Sequence, residues 1–211
     1  MVSKENTQKE DSKERLIAVA KKLFAQKGFE GTSVKDICDE AGLNVSLVSY
    51  YFQGKDNLYQ NILEQFGMER LNAAVRILKT PTSPQEISLR LKMFADEMFL
   101  CHVENPETTQ IIHRECTQNF VNIQKIFEKT FLNVHSILIK FFKDAKNKNL
   151  IDKKRDPKTL ASLFMGQIVH IARVAPISKN YVSVSIDIEK DREHLINEIV
   201  ETFLHGASSR R

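Results

Sequence analysis

The chain has 211 residues, 42% of them hydrophobic and 27% charged, with a net charge of +4 and only 7 Gly and 5 Pro. So few breakers favour long helices over a turn-rich β fold. No apolar run approaches the roughly 18 residues of a membrane span, and the charged start MVSKENTQKEDSKER has no apolar core, so neither a span nor a secretory leader is expected. A cytoplasmic protein is the default, and the three scattered cysteines, Cys38, Cys101 and Cys116, fit reduced thiols better than a disulfide framework. Residues 1–60 carry nine basic and nine acidic side chains. Net charge therefore says little about a nucleic-acid partner, which would have to be held by locally placed groups.

From Ser12 to Gln26 the stripe Leu16, Ile17, Ala20, Leu23 and Phe24 has helical spacing. Asp11 or Ser12 can cap its start and Gly28 can stop it. A second helix begins at Ser33, whose partner Asp36 three residues on makes a variant capping box. Val34, Ile37, Cys38 and Ala41 form its inner face, and Gly42 ends it. The stretch NVSLVSYYFQGK (44–55) alternates like a strand, yet nothing nearby offers a partner strand. With Asn44 as N-cap it reads as a helix from Val45 to about Gln53, with Leu43, Val48 and Phe52 inward. Val45, Ser46, Ser49 and Tyr50 then point outward, with Leu47 near that edge. Three helices in about 45 residues, the last two joined by a four-residue turn containing Gly, match a helix-turn-helix.

A long helix follows from Lys55 and breaks at TPTSP (80–84). Further helices are expected at about 85–104, 107–115 and 119–147. After the basic turn 146–157, others follow at 157–175, stopping before Pro176, and at 189–205, with a loop over 178–188 between them.

The order of residues now carries a resemblance. RLIAVAKKLFAQKGFEGTSVKDICDEAGLNVSLVSYYFQGKDNLY (15–59) resembles the N-terminal signature of TetR-family transcriptional regulators throughout. The matching elements are a helix ending in F-x-x-x-G-F, the G-T-S entry, the I-x-x-x-A-G turn and Y-x-F-x-x-K-x-x-L, read here as Tyr50, Phe52, Lys55 and Leu58. The later part of the chain is similar only in length, helical character and the closing IVETFLHG. The resemblance implies an all-α fold: an N-terminal three-helix helix-turn-helix DNA-binding domain over residues 1–58, then a larger helical effector-binding and dimerisation domain over 59–211. It also implies a homodimeric repressor that a small ligand releases from DNA. Two positions depart from the usual pattern: Ser49 stands where Tyr often precedes the Tyr-Phe pair, and Val45 stands where Lys or Arg often follows the N-cap.

The residue chemistry fits that expectation. Val45 and Leu47 suit thymine methyls, while Ser46 and Ser49 can bond bases or phosphates. Tyr50 can reach the backbone, and Lys55 can supply a cation to it. Thr32, Ser33 and Asn44 sit at helix starts, where free N–H groups and side-chain oxygens suit a phosphate; they could equally be plain caps. With no cation between Asn44 and Gly54, the third helix should read methyls and shape more than guanine edges.

In the second domain, Met93, Phe94, Met98, Phe120, Phe127 and Met165 could line an apolar cavity, with His102, His113, Cys116 and His170 as polar groups. Plain core is the simpler reading for each. His113 and Cys116 stand at i, i+3, but no third ligand is evident, so no metal or other cofactor is expected. Leu160, Leu163, Phe164, Gln167, Ile168 and Ile171, with Leu195, Ile199 and Phe203, are candidates for a four-helix dimer interface. Such a dimer would bind a palindromic site. No nucleophile–base pair, carboxylate dyad or phosphate loop appears, so no catalysis is expected. The competing readings are a helical carrier or enzyme with an incidental helix-turn-helix, and a DNA binder without a small-molecule inducer.

Overall fold

The computed structural model describes residues 4–118, 120–178 and 185–206; the expected loop over 178–188 falls largely outside them. The described residues form ten helices and no strand: α1 (Lys4–Lys27), α2 (Val34–Ala41), α3 (Ser46–Phe52), α4 (Lys55–Ile77), α5 (Pro84–Glu104), α6 (Pro106–Thr117), α7 (Gln124–Lys129), α8 (Phe131–Asn147), α9 (Pro157–Ser178) and α10 (Glu189–His205). Among the described residues no helix is long and apolar enough to cross a membrane.

Three helices depart furthest from their expected bounds. α1 starts eight residues earlier, at Lys4, because KENTQKED holds no Gly or Pro to stop it. The expected 119–147 helix is two, interrupted at Thr130, a fully buried residue between α7 and α8. α9 runs through Pro176 to Ser178; a proline in the last turn removes one backbone donor without ending the helical path.

The chain divides into two compact units, and the dividing lines are not the expected 58/59. One unit combines Met1–Gly67 with Pro106–Phe127; the other combines Met68–Asn105 with Glu128–Arg211. The first turns of α4 stay with the first unit because Leu58, Ile62 and Leu63 pack into its core.

In the first unit, Leu16, Leu23 and Phe24 of α1 pack with Ile37 and Cys38 of α2, Val48 and Phe52 of α3, and Leu58, Ile62 and Leu63 of α4. Ile111 of α6 and Ile126 of α7 complete the cluster. The helix ends are tied by side chains. Arg15 Nη2 donates to the Ala41 carbonyl at 2.6 Å, and Arg114 on α6 donates to the Phe24 and Ala25 carbonyls, both at 2.7 Å. These are carbonyls at the ends of α2 and α1, where the helix dipole favours a cation.

The second unit is built on Leu91, Phe94 and Phe99 of α5, Leu138, Phe141 and Phe142 of α8, and Phe164 and Ile168 of α9, all fully buried or nearly so. α5 starts on a well-made cap: Ser83 accepts from Glu86 N–H, and Pro84 fills the first turn. Thr82 and Arg90 both donate to Glu86, and these bonds lower its carboxyl to about 2. Arg192 of α10 donates to Asp96 of α5 at 2.7 Å and to the Ile186 carbonyl at 3.0 Å.

This packing corrects three of the expected dimer residues. Phe164 and Ile168 are wholly buried and Ile199 is 8% exposed, all within the core of their own unit, because α9 turns that side toward α8 and α5 and α10 turns Ile199 toward α5. Leu160, Ile171, Leu195 and Phe203 are half-buried against the same core. On α9, Leu163 and Gln167 remain exposed.

Core and surface positions in α5 should separate sharply. Phe94→Ala should cost about 3–5 kcal/mol in urea unfolding, while Met93→Ala, at a 48% exposed residue, should stay within about 0.5 kcal/mol of the parent.

Candidate nucleic-acid interface

α2 and α3 are set by their turn. Gly42 takes the left-handed conformation (φ 63°, ψ 38°), which a glycine adopts without a Cβ clash. Its N–H and that of Leu43 close back on the Asp39 and Cys38 carbonyls at 3.2 and 2.9 Å. The chain then reverses at Asn44, whose Oδ1 accepts the Ser46 N–H at 2.9 Å. The helix proper begins at Ser46, one residue later than expected, with Val45 as the flanking residue in helical geometry. At the far end Gln53, not Gly54, provides the left-handed cap (φ 62°), and its N–H returns to the Ser49 carbonyl at 3.0 Å.

With the turn fixed, α3 has two unlike sides. Val48 and Phe52 are buried, and Leu43, Leu47 and Tyr51 pack partly against the core. Ser46 and Ser49 are exposed, Val45 is 48% exposed and Tyr50 is 68% exposed. Of the outward set, Leu47 is the exception: half-buried, it serves the core more than the surface. Tyr50 stacks edge-on against Tyr51, ring centroids 5.0 Å apart.

The residues expected at phosphates sort differently. Thr32 is fully buried and its hydroxyl donates to the Gly28 carbonyl at 2.8 Å, so it closes the loop after α1 and is not a phosphate ligand. Ser33 is exposed, but its hydroxyl serves a complete capping box: it accepts the Asp36 N–H at 3.0 Å, and the Asp36 carboxylate accepts the Ser33 N–H at 2.9 Å. Those Ser33 contacts hold the Asp36 carboxyl below its usual range. Lys55 is half-buried: Nζ donates to the Phe29 carbonyl at 3.0 Å and lies 4.1 Å above the Phe29 ring. Its ammonium is first a clamp on the α1–α2 loop. Sequence reading passed over Lys35, exposed at the second position of α2.

It also missed the polar lock beneath these helices. Tyr59 on α4 donates to Glu115 Oε1 at 2.6 Å, and Asn122 Nδ2 donates to the same oxygen at 3.1 Å. Glu115 is 1% exposed. Burial, then the Glu115 hydrogen bond, pushes the Tyr59 phenol well above its usual range, so it remains the donor. Phe24, Phe29 and Tyr59 pack on one another around this lock, with Phe24–Tyr59 centroids 5.0 Å apart and Phe29–Tyr59 centroids 4.8 Å apart. The signal was present in the sequence as the Arg114-Glu115 pair, but charges on a helix are ordinarily solvated.

The expected effector residues do not form one group. His113, Cys116, Phe120 and Phe127 belong to the first unit. There Phe120 and Phe127 stack face to face at 3.7 Å, and Cys116 is exposed. In the second unit Phe94 and Met98 are core, and Met165 packs partly against it. Met93 and His170 point to solvent and leave any cavity lining. His102 is half-buried with Nδ1 2.8 Å from the Met98 carbonyl, and burial lowers its pKa. The neighbouring Cys101 thiol is pushed up to about 11 by burial, which makes it unreactive. Among the described residues no group of three or more His, Cys, Asp or Glu could hold a metal ion.

The lock has a measurable weight. Tyr59→Phe removes the donor and leaves a buried carboxylate short of a partner, which should lower stability by about 1–3 kcal/mol in thermal unfolding.

Residues 16–62 match the family model of bacterial regulatory proteins, tetR family. Over 118 residues the chain is 30% identical to the "Probable HTH-type transcriptional regulator YttP" of Bacillus subtilis, a stretch covering 56% of each chain, so the match spans about half of that relative's length. The "Uncharacterized HTH-type transcriptional regulator YdgC" of Bacillus subtilis is 22% identical over 201 residues, 93% of this chain and 92% of that one. The solved structure of the transcriptional regulator FadR from Bacillus subtilis, in complex with stearoyl-CoA, matches with a TM-score of 0.72 at 14% identity, covering 92% of this chain and 99% of that one. The ketosteroid transcriptional regulator KstR2 of Mycobacterium tuberculosis gives a TM-score of 0.70 at 15% identity, over 94% and 95%. The two structures share the helical fold, and residues 16–62, which hold the helix-turn-helix, carry the signature of the tetR family of bacterial regulatory proteins.

Proposed function

We propose that the protein is a homodimeric transcriptional repressor that inserts α3 into the major groove of a palindromic operator and leaves it when a small, largely apolar ligand binds. The observation that carries the DNA part is the division of α3: Val48 and Phe52 anchor it in the core, and Val45, Ser46, Ser49 and Tyr50 are left to solvent. A short helix held from one side and uncharged on the other is suited to base edges, where thymine offers a methyl and any base a hydrogen-bond partner. Ser33 with its helix start, Lys35 and Tyr50 would bond the phosphates that fix the register. Lys55 supports this indirectly, through Phe29.

The ligand part rests on the likeness to FadR and KstR2, whose names carry a fatty acyl thioester and a ketosteroid. The Phe- and Met-rich second unit, around Phe94, Met98 and Met165, is where an apolar effector of that kind would be held. Release requires that the ligand bind one dimer geometry more tightly than the other, since equal affinity shifts nothing. The dimer would form through the exposed side of α9, where Leu163 is 56% exposed beside Gln167 and His170. With no paired catalytic groups in the sequence, the protein would act as a cytoplasmic binder and not as an enzyme.

Band-shift titration with the DNA upstream of the protein's own gene tests the DNA part. A specific, salt-sensitive complex is expected, and Tyr50→Ala should weaken it at least tenfold with the melting temperature unchanged. A carrier or enzyme would give no such complex. Leu163→Glu should convert the dimer to monomer in sedimentation and abolish operator binding. A parent that is already monomeric on DNA would sink the dimer reading.

A further inference from the structure

Between Asn44 and Gly54 the chain contains no Lys, Arg, His, Asp or Glu. This removes the arginine and lysine forks that recognise guanine and the carboxylates that accept from cytosine. Adenine is ordinarily read by an Asn or Gln amide using both its oxygen and its nitrogen. Asn44 has already given its oxygen to the Ser46 N–H, and Gln53 stands at the C-terminal end of α3 in the left-handed cap. Base contacts come mainly from the N-terminal residues of a recognition helix. What is left there is Val45, Ser46 and Ser49.

Of these, Val45 is the aliphatic one. Its side chain is 48% exposed at the start of a helix whose Leu47, Val48 and Phe52 pack inward, with Tyr50 exposed further along the same helix. Its backbone is held in helical geometry (φ −57°, ψ −27°), and a β-branched side chain has little rotamer freedom left to lose. The only apolar group that the major groove offers is the C5 methyl of thymine.

We propose that Val45 is a specificity-determining residue that reads a thymine 5-methyl in each operator half-site, with Ser46 and Ser49 bonding beside it. The proposal rests on the DNA-binding reading above, and the test separates the two.

The full-length protein is used to select duplexes from a randomised 30-base-pair pool. The selected duplex is then resynthesised with deoxyuridine replacing thymidine, position by position, which deletes the methyl and keeps the base pairing. One thymine per half-site should matter, its replacement weakening binding by about three- to fivefold, the worth of one buried methyl-sized group. Val45→Ala should lose about as much on the thymine duplex and should no longer distinguish the two duplexes. Thermal unfolding should show the variant as stable as the parent, since the residue is exposed. If the parent binds every deoxyuridine duplex as well as the thymine one, the proposal fails. If Val45→Ala keeps the parent's full sensitivity to deoxyuridine, another residue reads the methyl and the proposal fails as well. Failure to select any duplex would instead remove the DNA-binding reading, and the assignment of Val45 with it.

Discussion

A seven-residue helix cannot hold itself in water, because nucleation costs more than so few backbone bonds return. α3 is such a helix, and the first unit is organised around supporting it. Val48 and Phe52 reach into a core supplied by α1, α2 and α4. Gly42 and Asn44 set the angle at which it leaves α2, and Gln53 closes its end. Because support comes entirely from below, the upper side carries residues of poor helix propensity at little cost. Serine, valine and tyrosine can be chosen there for what they touch.

The supporting layer is itself over-determined. Phe24, Phe29 and Tyr59 pack on one another, Lys55 sits over Phe29, and the Tyr59 hydroxyl is fixed by a buried carboxylate. Buried polar groups of this kind are costly when unpaired and rigid when paired. Glu115 has its donors and Arg114 its carbonyls. The result is a platform with few alternative packings.

Much of this architecture was legible in the sequence, and the reasons are local. The 3.6-residue stripe of α1, the Ser33–Asp36 box and the glycine after α2 are each short-range signals, and the helices follow them closely. The inward set of α3 was readable for the same reason, as was the outward set apart from Leu47. What escaped depends on long-range partners. Thr32 and Lys55 carry residue types suited to phosphate, but the neighbouring loop after α1 uses both. Phe164 and Ile168 have a stripe that fits either a dimer face or a core, and periodicity cannot tell which side of a helix meets its own chain. The break at Thr130 and the placement of α6 leave no trace in composition at all. The match to the family model ends near residue 62, and beyond it the pattern specifies helices without specifying their neighbours.

The reach of Arg114 across ninety residues to the end of α1 has a consequence for how the protein is made. The unit that carries α3 is discontinuous, and its last pieces lie in Pro106–Phe127. During synthesis the helix-turn-helix emerges early, yet its platform lacks Ile111, Glu115 and the α1-capping guanidinium until some sixty further residues have followed. Domains generally fold as units while the chain lengthens. Here α1 to α3 are synthesised before the segment that completes their core, so the α3 platform is fully supported only after α5 has been made.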